Sequence, residues 1–188
     1  MMLAGAAIAL SACKTNETAQ TTLSGLDPQN FVAEYEGKPT ALYTLKNANG
    51  MEVCVTNFGG RIVSVMVPDR NGDFKDVVLG FDSVQAYFPE NNLSDFGASI
   101  GRYANRINQG RIVIDGDTIQ LPQNNFGHCL HGGPAGWQYK VYAAEQGSRF
   151  SLLSIRGSGS RRDTYGGGRQ CCKRTSRSCL SVGFSLGR

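Results

Sequence analysis

Ala41-Leu42-Tyr43-Thr44-Leu45, then Asn49-Gly50, then Val53-Cys54-Val55: two runs rich in β-branched and aromatic residues flank a pair suited to a tight hairpin turn. The pattern repeats downstream. Arg61 to Val67 is a β-branched run that stops at Pro68-Asp69-Arg70-Asn71-Gly72, where proline and Asn-Gly dictate a turn. Val77-Val78-Leu79 is expected to be a further short strand, and Asp82 to cap a helical turn over Ser83 to Phe88 that Pro89 ends. Arg111 to Ile114 and Thr118 to Leu121 flank Asp115-Gly116-Asp117, a second hairpin signal, and Tyr139 to Ala143 reads as one more strand. Short strands joined by hairpins predict an all-β chain of antiparallel sheets, a sandwich or barrel. No G-x-G-x-x-G follows a strand and opens a helix, so a dinucleotide-binding fold has no support.

Composition agrees. Of 188 residues 40% are hydrophobic, enough for a core, and 24 glycines against four methionines suit a turn-rich strand protein better than a helical bundle. No apolar run approaches the ~20 residues of a membrane-spanning helix. The net charge of +4 is unevenly spread: residues 1–155 carry −3 and residues 156–188 carry +7. The acidic body gives no electrostatic reason to bind nucleic acid, and no nucleic-acid partner is expected.

Both ends read differently from the middle. Residues 1–13 form a short apolar stretch closing on Leu10-Ser11-Ala12-Cys13, which resembles a bacterial lipoprotein signal with its lipobox. That resemblance implies lipidation of Cys13 and a place at the bacterial cell envelope, lipid-anchored or periplasmic. Residues 14–30, rich in Thr, Gln, Asn and Ser, read as a flexible tether. Residues 156–188 show no sustained period, and two readings stand, a disordered tail or an out-of-frame continuation of the β-domain. Gly166-Gly167-Gly168-Arg169 lacks the lysine and hydroxyl of a phosphate-binding loop, and Cys171, Cys172 and Cys179 lack metal-ligand spacing. No metal site is expected.

Two segments concentrate polar groups among glycines: Phe96 to Ile107, containing Gly101-Arg102-Tyr103-Ala104-Asn105-Arg106, and Asn124 to Gly133, containing Leu130-His131-Gly132-Gly133. A guanidinium fork, a carboxamide and an imidazole together suit a ligand covered in hydroxyls, each of which donates and accepts. Glycines beside them allow the backbone to approach closely.

Pro68-Asp69-Arg70-x-Gly72, Asp76-Val77-Val78-Leu79-Gly80-Phe81-Asp82, Gly101 to Ile107 and Leu130 to Gly133 stand in the order and spacing of one family. Over about residues 40–145 the chain resembles the aldose 1-epimerase (galactose mutarotase) family, an isomerase family. The resemblance implies that residues 31–155 are part of a large β-sandwich, truncated here, that binds a free hexose, galactose or glucose, in an open cleft without cofactor or metal. It implies sugar contacts by Asn105, Arg106 and His131. The alternatives are a buried Arg106 paired with a carboxylate, and a His131 that merely bonds loop backbone. His128 departs from the family pattern and reads as a surface or packing residue, Arg102 and Tyr103 as structural, and Trp137 as a wall of the cleft.

Exchanging the anomers of an aldose requires a base for the anomeric hydroxyl and an acid for the ring oxygen. In the family these are a histidine and a glutamate well downstream of Leu-His-Gly-Gly. This chain has no histidine after His131 and only Glu145 as a later glutamate, so no catalytic residue is assigned and the chain as written is expected to be inactive. The competing expectation is a non-catalytic, membrane-anchored carbohydrate-binding β-sandwich.

Overall fold

The computed structural model describes residues 21–91 and 94–147, together with the strand backbone at 152–156 and 181–185. The lipobox with Cys13 and most of the basic tail lie outside the described residues. Among the described residues there is no α-helix, only strands and short 3-10 turns. The strands are β1 (Ala33–Tyr35), β2 (Lys38–Thr40), β3 (Leu42–Lys46), β4 (Glu52–Thr56), β5 (Arg61–Pro68), β6 (Phe74–Asp76), β7 (Arg106–Ile107), β8 (Arg111–Ile114), β9 (Asp117–Gln120), β10 (Cys129–Leu130), β11 (Ala143–Gln146), β12 (Leu152–Arg156) and β13 (Ser181–Ser185). Every pairing is antiparallel. The central sheet runs β3-β4-β5-β6, a second sheet runs β11-β12-β13, and β1-β2, β7-β10 and β8-β9 are two-stranded ribbons.

Period-2 alternation divides the central sheet into two buried faces. Tyr43, Leu45, Val53, Val55, Ile62 and Val65 share one face and meet Tyr142 and Ala144 at the start of the second sheet. Gln146 Nε2 donates to the Thr44 carbonyl at 2.7 Å, and Tyr142 N–H to Asn57 at 3.0 Å, holding the layers together. The opposite face carries Cys54 and Val63 against Phe31, Phe58, Val84, Tyr87 and Phe88, with edge-on ring contacts between Phe58 and both Tyr35 and Phe88. Between Cys54 and Val55 the β4–β5 register shifts by a bulge, the device that bends a strand so that the sheet can curve around a core.

Residues 21–30, which composition reads as part of the tether 14–30, are folded onto this second face together with Phe31. Leu23 N–H donates to the buried Glu52 carboxylate at 2.7 Å, Ser24 to Ser64 at 3.1 Å, and Phe31 is buried in the core. Their polar composition matches a polar stripe on the sheet, so low hydrophobicity does not mean detachment. In the basic tail, Ser181–Ser185 pairs with β12, where the sequence showed no strand period.

Four local expectations are corrected. Asn49-Gly50 does not form the two-residue turn: only Gly50 has a positive φ, and the Asn47 side chain organises a longer loop by accepting from Asn49 and Met51 N–H. Val77 to Leu79 is not a strand, because the Asp76 carboxylate takes the N–H groups of Val65 and Val78 and ends the ladder; Val77 and Leu79 are 60% and 70% exposed. The turn at Gln85–Tyr87 is capped at Val84 without a side-chain bond, not by Asp82, and the strand expected at Tyr139 starts only at Ala143, behind a 3-10 turn at Trp137–Tyr139. The hairpin read at Asp115-Gly116-Asp117 does form, one residue tighter: Asp117 pairs with Ile114, and Asp115 and Gly116 both have positive φ (52 and 86°).

Tyr142, between the layers, donates its hydroxyl to the Trp137 carbonyl at 3.1 Å, and burial pushes its phenol from 10.0 up to about 12. Folding therefore favours the neutral phenol, so this contribution is intact below pH 10 and is lost as pH rises through 12. Chemical unfolding across this window should show stability falling by up to about 1.4 kcal/mol per pH unit from this group. Tyr142→Phe should lessen that slope; an unaltered slope would remove Tyr142 as its source.

Candidate functional site

β7 and β10 form the shortest ribbon, two residues against two, with Leu130 opposite Arg106 and Cys129 opposite Ile107. So short a ladder needs its ends secured. At one end Asn105 and His131 bond reciprocally: His131 N–H donates to the Asn105 carbonyl, and Asn105 N–H to His131 Nδ1, both at 3.0 Å. At the other, Gln109 N–H donates to His128 Nδ1 at 3.1 Å. Asn105, Gln109 and His131 all adopt the left-handed conformation, with φ of 56, 50 and 50°. That conformation is costly for residues bearing a Cβ and persists only where the surroundings over-determine it.

The ribbon thus brings together Asn105, Arg106 and His131. Arg106 is exposed, and its one side-chain bond runs from Nε to Asn125 Oδ1 at 2.9 Å. Among the described residues its two terminal nitrogens have no partner, and neither does the Asn105 carboxamide. The buried, carboxylate-paired alternative for Arg106 does not occur. The backbone-bonding alternative for His131 is realised at Nδ1, and among the described residues Nε2 has no hydrogen-bond partner. Because Nδ1 accepts, the neutral ring carries its proton on Nε2 and can only donate there. His128 has the same tautomer for the same reason and is a ribbon-locking residue. A metal pair at these two histidines would need the opposite tautomer.

Two residues that sequence reading passed over hold the site in place. Gln138 is buried and donates from Nε2 to the His131 carbonyl at 3.1 Å. Arg61, also fully buried, donates from Nη2 to the Gln138 carbonyl at 3.2 Å and from Nη1 to the carbonyls of Ser94 (3.0 Å) and Phe96 (3.1 Å). Burial lowers the Arg61 pKa, while Asp95 nearby favours its charged form. Burial likewise raises the Asp95 carboxyl, which Arg61 and then His131 pull back down. The visible signal for Arg61 was its position at the start of a β-branched run behind Gly59-Gly60, where a charge has no business unless it is paired.

The Trp137 ring packs closely against Gly101, its backbone N–H donates to the Gly101 carbonyl at 3.2 Å, and its ring centroid lies 6.0 Å from the exposed Arg102 guanidinium. Gly132, at φ +82°, leaves no room for a Cβ against that same carbonyl. Arg102 and Tyr103 are placed beside this support rather than on the ribbon. Among the described residues no group of three His, Cys, Asp or Glu side chains could hold a metal ion. Long-range ¹H–¹⁵N NMR should find His128 and His131 both protonated at Nε2 and bare at Nδ1. An Nδ1-protonated His131 would contradict the reciprocal bond to Asn105.

The aldose 1-epimerase family model matches residues 41–165, beyond the limit of about 145 that the motifs marked. The chain is 35% identical over 136 residues to the probable aldose 1-epimerase of Arthroderma benhamiae, covering 70% of this chain and 31% of that protein. It is 38% identical over 121 residues to the aldose 1-epimerase of Escherichia coli K12, covering 64% and 34%. The structure superposes on the aldose epimerase homologue of C. elegans with a TM-score of 0.60 at 29% identity, covering 66% of this chain and 38% of that one. The chain therefore spans about a third of the length of the curated relatives it matches. With an antiparallel all-β architecture and a family match over most of its length, this chain belongs to the aldose 1-epimerase family.

Proposed function

We propose that the β7–β10 ribbon is the sugar-recognition part of an aldose 1-epimerase site and binds a free hexose, galactose or glucose. The observation that carries this reading is the register itself. It puts Arg106, whose terminal nitrogens have no partner among the described residues, on the ladder, and Asn105 and His131, an imidazole fixed as a donor, at its end. Arg106 and His131 offer donors to hydroxyl or ring oxygens; Asn105 offers both a donor and an acceptor. The contacts are neutral or cationic, with no phosphate-sized cluster of positive charge, which favours a free sugar.

Anomer exchange needs, in addition, an acid and a base on opposite sides of the ring. After His131 the chain offers no histidine and the single glutamate Glu145, which lies exposed on β11. The reading for these 188 residues is accordingly binding without turnover. A hexose binder held at the bacterial envelope by lipidated Cys13 is the form in which such a chain has a use, supported by Leu10-Ser11-Ala12-Cys13. Calorimetry should give saturable heat with galactose or glucose, and Arg106→Ala should weaken it by about tenfold or more through loss of charge-assisted hydrogen bonds. Polarimetry should show no anomerisation above the buffer rate; turnover would refute the non-catalytic half. Expressed in a bacterium, the wild type should partition with membranes and Cys13→Ser should not.

A further inference from the structure

Phe126 sits at the tip of the turn Asn125–His128, closed by Asn125 N–H to His128 O at 3.1 Å and His128 N–H to Asn125 O at 2.8 Å. Its φ is +46° and Gly127 follows at +79°. The ring is 92% exposed. Among the described residues it is the one large exposed apolar side chain in a left-handed conformation. Two unfavourable choices meet at one position: an aromatic where glycine or asparagine fits best, and a large apolar surface left in water. An outlier of this kind points to function.

The turn is also fastened at one end to Arg106 on β7 and at the other to Gln109 in the 3-10 turn Asn108–Gly110 that follows. Asn125 Oδ1 takes the Arg106 Nε–H, and His128 Nδ1 takes the Gln109 N–H. The same asparagine that aims Arg106 is thus the residue preceding the phenyl ring. An exposed aromatic that follows the asparagine holding Arg106 suits a ligand that is polar at its edge and apolar on a face. A pyranose is that ligand. In galactose the axial 4-hydroxyl leaves the hydrogens on C3, C4 and C5 as one continuous apolar patch; in glucose the equatorial 4-hydroxyl breaks it.

We propose that Phe126 is the stacking platform for the apolar face of a galacto-configured pyranose whose hydroxyls are held by Arg106, Asn105 and His131. This rests on the hexose-binding reading above. It assigns to Phe126 the preference for galactose over glucose. The exposed ring makes the test clean, because its removal costs no core packing. Calorimetry with galactose and with glucose would be run on the wild type, Phe126→Ala and Phe126→Trp, each checked by thermal unfolding. The wild type should bind galactose more tightly than glucose. Phe126→Ala should weaken galactose about tenfold, the order expected of one aromatic contact, and erase most of the preference at unchanged unfolding temperature. Phe126→Trp should keep both. Galactose affinity unaltered by Phe126→Ala would overturn the platform while leaving hexose binding intact, and an equal loss for both sugars would overturn the galacto preference. A wild type that binds neither sugar would overturn both readings together.

Discussion

A buried guanidinium organises this molecule. Arg61 opens β5 in the wall of the core, between the Phe58 and Tyr87 rings at 5.6 and 5.1 Å from their centroids. Removing that charge from water costs several kcal/mol, and it is tolerated only because the surroundings answer it with three backbone carbonyls, two aromatic faces and the Asp95 carboxylate nearby. Those carbonyls belong to segments 33 to 77 residues away in the chain. One side chain therefore fixes where the 94–96 loop and the Trp137–Tyr139 turn lie relative to the central sheet. Substituting a smaller apolar residue would leave all three carbonyls facing an apolar interior.

Support passes from that hub to the ligand-facing groups in two steps. Gln138, held by its carbonyl, holds His131 by its own. His131 then exchanges bonds with Asn105, and Arg106 is the next residue along. Every step is a hydrogen bond to backbone, so the chain of support fixes main-chain position while leaving side-chain tips unoccupied. The Arg106 tip is a donor by virtue of its permanent charge, and the His131 tip by virtue of its tautomer. Two donors so placed suit oxygen lone pairs, which is the role proposed for them.

The sequence made the all-β class legible wherever side-chain alternation had a sheet face to answer to, as in Leu42–Lys46 and Arg111–Ile114. It misled where a single side chain outcompeted the ladder. Asp76 captures two N–H groups and stops a strand that Val77, Val78 and Leu79 would have continued, and Asn47 captures two more and converts a tight turn into a loop. Side-chain capture of this kind depends on which N–H groups the fold brings near, which no local pattern states. The site segments were legible because glycine, arginine, asparagine and histidine cluster in them. Gln138 was not, and Arg61 showed only as a charge out of place in a β-branched run, since the partners of both lie distant along the chain.

The backbone around the ribbon carries four residues with side chains in the left-handed region, Asn105, Gln109, Phe126 and His131. Each has its conformational freedom removed by folding, before any ligand arrives. A guest at this place meets walls already set and has little ordering left to impose, so the entropy of association is spent chiefly on the guest itself and on the tips of Arg106 and Asn105. On the proposed reading, preorganisation of this kind leaves more of the contact energy for holding a hexose, and discrimination between sugars would follow from a shape fixed in advance.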